Sequence, residues 1–405
     1  MTGLPDYAEA LQRALSAVND AVISRTGQEL VPLDRAGGRV LASAVVADRD
    51  MPPFNRAMMD GYALRAADYS RSRPFPVAGE VPAGVAPDVR VPPGACVKIA
   101  TGAALPDACD TVIQHEASDR GNPVTFTLDR VEAGQAVHPR SADAREGDVL
   151  VPAGTLLAPQ HLGMAAATGA TSLEVRRRPR AAVLTSGDEV RPADTPLAQL
   201  QPHQIRNSNS VMATDLLRGF GAEPVASHHL PDQRGTTIEA VCRAIETGDL
   251  VITIGGVSAG ERDHFPEAFD AGGVQRFLVG ASIQPGRPIV VGRTAGNVII
   301  VALPGNPVSA LACACLFIWP IVRAMLGLPS QLPWREIELA EAVKPNAHRR
   351  AFRPAILRND GRAVVPKWAG SGDLAHTAAT HGLLELPVQD RPVAVGTRLR
   401  FLAWP

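Results

Sequence analysis

Aromatic residues are scarce in this chain, at 4% of 405 residues, so its cores must be built from Val, Leu, Ile and Ala. A surplus of positive charge is also missing: 40 Lys and Arg face 41 Asp and Glu, a formal net charge of −1. A nucleic-acid binder would show a basic excess or stripe, and the short run Arg176-Arg177-Arg178 reads as a solvated entry to a strand. Only five cysteines occur, an odd number, and no two have the spacing of a zinc knuckle or a redox pair. Cys313 and Cys315 lie in an apolar stretch and are expected in a core. Met1 to Asp20 contains Asp6, Glu9 and Asp20 and lacks a basic-then-apolar signal pattern. The most apolar segment, Val308 to Val322, falls short of the roughly 20 residues that span a bilayer. Walker loops, Rossmann fingerprints and nucleophile elbows are absent. These absences point to a cytoplasmic protein with neither nucleic acid nor membrane as partner.

What is present suggests several domains, since a domain takes about 100–200 residues. An amphipathic helix opens the chain, with Asp6 as cap, Glu9 completing a capping box, and Tyr7, Leu11, Leu15 and Val18 on one face. From about Leu30 to Gly147, short apolar runs broken by Pro and Gly indicate a β-rich domain. Pro159 to Ala167 is a short helix closed by Gly169. From Arg180 to Leu328, strand, loop and helix alternate. Ala181–Thr185, Leu250–Ile254 and Val298–Leu303 are apolar runs without alternation, as in a sheet covered on both faces. Helices are expected at Ser208–Arg218, Arg234–Thr247 and Pro307–Met325, with Pro320 ending or kinking the last. This is the pattern of a doubly wound α/β domain, whose ligands sit beyond the carboxyl ends of its strands. After Pro329 the texture returns to β, with a hairpin turning at Asn359-Asp360-Gly361.

The three apolar strands run into loops rich in Gly and acidic residues: Thr185-Ser-Gly-Asp-Glu189, Gly255-Gly-Val-Ser-Ala-Gly-Glu-Arg-Asp263 and Leu303-Pro-Gly-Asn-Pro-Val-Ser-Ala310. One such loop is ordinary turn chemistry; three on one sheet edge suit a phosphate. The candidate substrate contacts are Gly255, Gly256 and Ser258 in the second loop and Pro304, Gly305, Asn306 and Ser309 in the third. Asp188, Glu189, Asp232 and Asp263 would surround the same site. A carboxylate about 4 Å from a phosphate repels it by roughly 4 kcal/mol at a surface-like dielectric. A hard cation removes the conflict, and oxygen-only ligands indicate Mg²⁺, with Asp188, Glu189 and Asp263 as its ligands. The bland alternatives are a turn for Asp188 and Glu189 and a helix cap for Asp232. His115, His228, His229 and His264 show no metal spacing and are expected to be surface or satisfied histidines.

Asn55-Arg-Ala-Met-Met-Asp-Gly-Tyr-Ala63 resembles the Met-Asp-Gly-Tyr-Ala signature of the MoeA family, related to the E domain of gephyrin. Thr101-Gly-Ala-Ala-Leu-Pro106, Ser186-Gly-Asp-Glu189, Asn207-Ser-Asn-Ser210, the loop from Gly255 to Asp263, and Leu303 to Ser309 follow in the family's order. The resemblance implies a homodimer with a linker region (1–29 and 147–179), a β-rich insertion domain (30–146), a pterin-binding doubly wound α/β domain (180–328) and a C-terminal β-barrel (329–405). It implies insertion of molybdate into adenylylated molybdopterin with release of AMP, Mg²⁺ being required, and it leaves room for other proteins of cofactor assembly as partners. By the same resemblance Asp60 and Thr101 act from the partner subunit. Gly305, Asn306 and Ser309 line the phosphate end, and Arg350 and Ser371 come from the barrel.

The chain departs from the family at Gln284-Pro-Gly-Arg-Pro288, where Lys-Pro-Gly-Lys-Pro is usual, so Gln284 and Arg287 would face the oxyanion. That loop is expected at the edge of the α/β domain. Ser141-Ala-Asp143 and Thr380-His-Gly382 also differ from the usual motifs. Three other readings are a pterin-binding scaffold without catalysis, the adenylyltransferase that prepares the substrate, and a tungstate-specific member. Intact Asp60, Thr101, Glu189 and Asp263 argue against the first, and the β-rich domains against the second.

Overall fold

The computed structural model describes residues 3–256 and 263–405, which form two compact units. The smaller comprises residues 32–37 and 43–173. Its main sheet orders the strands Val77–Val81, Cys96–Ile99, Gly61–Leu64 and Thr111–Gln114. Side chains alternate between two apolar clusters, Tyr62 and Leu64 into one and Ala63 into the other, as a period of two requires. Three aromatics meet in the first of these clusters: Tyr62, Phe75 and Phe126 pack edge-on or tilted, with centroids 5.6 and 5.7 Å apart. Burial pushes the thiols of Cys96 and Cys109 up to about 12. The helix Pro159–Ala167 forms as its sequence predicts.

The larger unit comprises residues 1–31, 38–42 and 174–405. Its opening helix, Tyr7–Leu15, is capped by Asp6, which accepts from the Glu9 N–H at 2.9 Å. The Glu9 carboxylate pairs with Arg13 rather than closing a capping box.

The central sheet is built from β1 (Arg180–Ser186), β2 (Glu223–Leu230), β3 (Leu250–Ile254), β4 (Val274–Val279), β5 (Val290–Thr294) and β6 (Ile299–Leu303). Their spatial order is β2-β1-β3-β6-β5-β4. The first four run parallel and the last two are antiparallel additions. Ala181, Val183, Leu250 and Ile252 enter one apolar cluster, and Ala182, Leu184 and Val251 the other, so both faces are buried. Helices α1 (Ser208–Phe220) and α4 (Pro307–Met325) supply the first cluster; α2 (Arg234–Thr247) and α3 (Phe265–Ala271) supply the second.

Helix α4 corrects two expectations. It runs for 19 residues and is the one helix among the described residues long and apolar enough to cross a membrane, yet most of it is buried in the core. Pro320 does not end it. Proline offers no N–H to the carbonyl four residues earlier, that of Leu316, and its ring crowds that carbonyl. A π turn over Ala314–Ile318 opens the backbone there, and the Leu316 carbonyl accepts instead from the Tyr7 hydroxyl at 3.4 Å. Cys313 and Cys315 are buried, as expected of core residues.

A second sheet in this unit orders Ile283–Gln284, Arg350–Leu357, Gly382–Leu386, Arg398–Ala403 and Arg335–Glu338. Ala363–Val364 folds back on Arg350–Leu357, and the Gly361 N–H donates to the Arg358 carbonyl at 2.9 Å, closing the expected hairpin. Gln284 therefore belongs to this sheet rather than to the edge of the α/β sheet. The chain is thus a multidomain α/β protein with several sheets.

Glu385 is 5% exposed and is gripped by two guanidinium groups, those of Arg350 and Arg400. Removing the carboxylate leaves two like charges together. Glu385→Ala is expected to destabilise the protein by about 2 kcal/mol, the half-exposed arginines softening the loss. A denaturant titration checks this; an unchanged midpoint would show that the clamp contributes nothing.

Candidate active site

The parallel register brings four strand ends to one edge. Thr185 of β1 lies level with Ile254 of β3 and His229 of β2, and Ile254 lies level with Leu303 of β6. The loops that follow meet at Gly255. Its φ of +91° and its contact with the first loop both demand glycine: a Cβ there would stand 3.1 Å from the Ser186 carbonyl oxygen. Gly305 of the third loop packs against Gly255. Between these loops opens a cavity of about 770 Å³, within the usual range for a small-molecule site.

Glu189, Asp232, Asp263, Gly255, Gly256, Pro304, Gly305 and Asn306 all form its wall, so the structure gathers eight of the predicted residues. Ser258 lies outside the described residues. Asp188 is exposed and does not line the cavity: its N–H donates to Asp232 Oδ2 at 3.3 Å, and the Asp232 N–H returns the bond to Asp188 Oδ1 at 3.2 Å. Asp232 does not cap α2, because the cap position is Gln233. Ser309 is buried in α4, behind the wall. Ser371 is brought to the third loop, its Oγ accepting from Asn306 Nδ2 at 2.9 Å and its carbonyl from the Val308 N–H at 3.0 Å. Arg350 is held by Glu385. Gln284 accepts from Asn346 Nδ2 at 2.8 Å, and Arg287 is exposed; neither forms the wall, although Pro288 does.

Several residues of the site were not singled out from sequence. The first turns of α1 and α4 both open into the cavity through Ser208, Asn209 and Pro307, so two helix N-termini face it. Asn207 caps α1 by accepting from the Ser210 N–H at 3.0 Å, and Asn209 Nδ2 donates to the Gly305 carbonyl at 2.7 Å. The signal was available in the motif Asn207-Ser-Asn-Ser210, a capping Asn followed by three polar residues that open the helix. Arg206 is the one cationic side chain in the wall among the described residues. It follows an irregular stretch with no pattern to reveal it. Among the described residues no three His, Cys, Asp or Glu side chains stand close enough to hold a metal by themselves.

In the smaller unit Asp60 and Thr101 meet directly. Asp60 Oδ1 accepts from the Thr101 N–H at 2.6 Å and from its hydroxyl at 2.8 Å. These bonds, the backbone one foremost, hold the Asp60 carboxyl below the usual carboxylate range.

Three family models match in succession: the MoeA N-terminal region, domains I and II, over residues 6–169; a probable molybdopterin binding domain over 182–324; and the MoeA C-terminal region, domain IV, over 336–404. The chain belongs to the MoeA family. Among its relatives, "Molybdopterin molybdenumtransferase 2" of Mycobacterium tuberculosis is 36% identical over 384 residues, covering 91% of this chain and 93% of that one. A molybdopterin molybdenumtransferase of Nostoc is 31% identical, covering 94% and 90%. The crystal structure of a molybdopterin biosynthesis MoeA protein of Pyrococcus horikoshii superposes with a TM-score of 0.84 at 29% identity, covering 99% of this chain and 100% of that one.

The Asp60–Thr101 pair generates a prediction independent of any activity. Because the folded carboxyl titrates below its ordinary value, its contribution is present at neutral pH and is lost as pH falls through the folded value. Thr101→Val removes the hydroxyl bond and keeps the backbone one, so the Asp60 pKa should rise part of the way to the ordinary value, while Thr101→Ser leaves it in place. A carboxyl-carbon NMR titration reads both; an unmoved Val variant would refute the assignment.

Proposed function

We propose that this MoeA-family chain is a molybdopterin molybdenumtransferase that inserts molybdate into adenylylated molybdopterin and releases AMP, in molybdenum cofactor synthesis. The observation that carries the reading is the mixture in the cavity wall. Two helix N-termini and glycine-lined loops suit a phosphate, while Glu189, Asp232 and Asp263 oppose it and Arg206 offsets one charge. Such a wall suits a phosphoanhydride that arrives with a cation. Relatives carrying this activity in their names match about nine-tenths of the chain, which supports the same substrate class.

The oxygen-only donors fit Mg²⁺ of one kind. Among the described residues the carboxylates do not form a closed cluster, so these alone do not suit an ion held by protein only. Magnesium bound through one or two carboxylates, with phosphate oxygens and water completing its shell, asks for no more. Glu189, Asp263 and Asp188 would hold it, and the ion when bound neutralises charge on the phosphoryl oxygens. The protein's own part is to seat the phosphates on the N-termini of α1 and α4, with Gly255, Gly256, Ser258, Pro304, Gly305, Asn306 and Ser309 at that end. Arg206 offers a guanidinium fork to an anion, Gln284 and Arg287 are assigned to the oxyanion, and Arg350 and Ser371 are the contributions of the C-terminal barrel.

The same reading makes the protein a homodimer in which Asp60 and Thr101 complete the partner's site. Its domains follow the divisions 1–29 with 147–179, 30–146, 180–328 and 329–405, the third a doubly wound sheet and the last a closed barrel. Five free cysteines suit a reducing cytoplasm.

Asp263→Ala and Glu189→Ala should each abolish AMP release, assayed with molybdate and with tungstate, while thermal melting and dimer mass stay unchanged. A variant that melts early but retains activity in its folded fraction would mark that residue as structural.

The shared site gives a second test. Asp60→Ala and Asp263→Ala homodimers should both be inactive, and heterodimers of the two should regain up to one site, because both lesions then fall in one cleft. Confirmed heterodimers without rescue would place both residues in a site within one chain.

A further inference from the structure

The peptide group between Gly187 and Asp188 is gripped at both ends. Its N–H donates to Asp232 Oδ2 at 3.3 Å, and its carbonyl oxygen lies 3.0 Å from His229 Nε2. Gly187 has φ +135°, which side chains rarely adopt, and a Cβ there would stand 2.8 Å from the Glu189 carboxylate. The backbone at this point is therefore set by its partners as well as by its own preference, and it aims the Asp188 and Glu189 side chains.

The protons along this grip run one way. Asn207 Oδ1 caps α1, so its Nδ2 is the donor to Thr185 Oγ1 at 2.8 Å. Having accepted that hydrogen bond, the Thr185 hydroxyl donates its own toward His229 Nδ1, 3.0 Å away. An imidazole that accepts at Nδ1 carries its proton at Nε2 and donates it to the Gly187 carbonyl. Asn207 and Thr185 are buried, so the bond between them is not readily replaced by solvent, and the two bonds of His229 are part-buried. Nothing local in the chain marks this role, because a histidine at the end of β2 resembles any surface histidine.

We propose that His229 is a positioning residue for the proposed reaction: through the Asn207–Thr185–His229 relay it fixes the Gly187–Asp188 peptide and hence the acidic groups of the first loop. The inference rests on the proposed function for its kinetic consequence and on geometry alone for its structural one.

The test pairs kinetics with hydrogen exchange on the full-length protein. His229→Phe keeps a ring and removes both bonds; His229→Gln restores one acceptor and one donor; Thr185→Val breaks the relay one step earlier. The Phe variant should keep its dimer mass while the Asp188 amide exchanges at least about ten-fold faster. Its kcat for AMP release should fall about 10- to 100-fold with KM moved less than about three-fold. The Gln variant should recover both to within about three-fold. The Thr185→Val, His229→Phe double variant should be no worse than its worse parent, since both act through one chain. Wild-type exchange at Asp188 in the Phe variant, or multiplied effects in the double variant, overturns the proposal. Should the Phe variant fail to fold, the Gln variant decides, and faster Asp188 exchange there overturns it. Absence of AMP release from the wild type would sink the proposed function alone, the exchange arm still deciding the role of His229.

Discussion

Parallel pairing of β1 with β2 and β3, and of β3 with β6, is the constraint on which the site depends. A parallel ladder sends every strand out at the same edge; the chain returns to β2 and β3 through helices α1 and α2, and to β6 through its antiparallel neighbour β5. Four loops therefore converge without any attraction between them. The pairing is held by burial on both faces: Val, Ile, Leu and Ala from alternate positions enter separate apolar clusters. At about 25 cal/mol per Å² of apolar surface, such burial outweighs any single contact in the loops.

Convergence alone would leave the loops loose. They are tied by a few polar side chains whose partners are other loops: Asn209 to the Gly305 carbonyl, Asn306 to Ser371, and Asn207 through Thr185 and His229 to Gly187. A buried polar group left without a partner costs about 1–3 kcal/mol, so each tie favours one arrangement over its neighbours. Asparagine suits the task because one end of its amide accepts while the other donates, as Asn207 does in capping α1 and holding Thr185 together.

Charge is apportioned by a different rule. In the second sheet Glu385 is spent between Arg350 and Arg400, and Arg400 also lies over the Trp334 ring at 4.8 Å. In the cavity wall, carboxylates outnumber the single guanidinium among the described residues. The smaller unit treats Asp60 differently again, satisfying it with the N–H and hydroxyl of one threonine. Nearly equal numbers of acidic and basic residues in the chain as a whole conceal these local imbalances.

Local pattern was sufficient where the physics is local. The capped opening helix, the Pro-led helix at 159–167, the three unalternated strands and the Asp-Gly hairpin all follow from periodicity, capping and turn chemistry within a few residues. Motif order identified the family, and glycine after each strand, beside acid in two cases, marked three of the four loops. Other features depended on contacts between residues far apart in the chain. Ile283–Gln284 joined the second sheet because Arg350–Ala351 offers an edge 67 positions on. Helix α4 passed Pro320 through a π turn, and Tyr7, over 300 residues away, takes the carbonyl that proline leaves. Arg350 was claimed by Glu385, and His229 by Thr185 and Gly187. A hydrogen-bond donor in a sequence shows what it can offer; which acceptor it meets is decided only when packing brings distant strands and loops together.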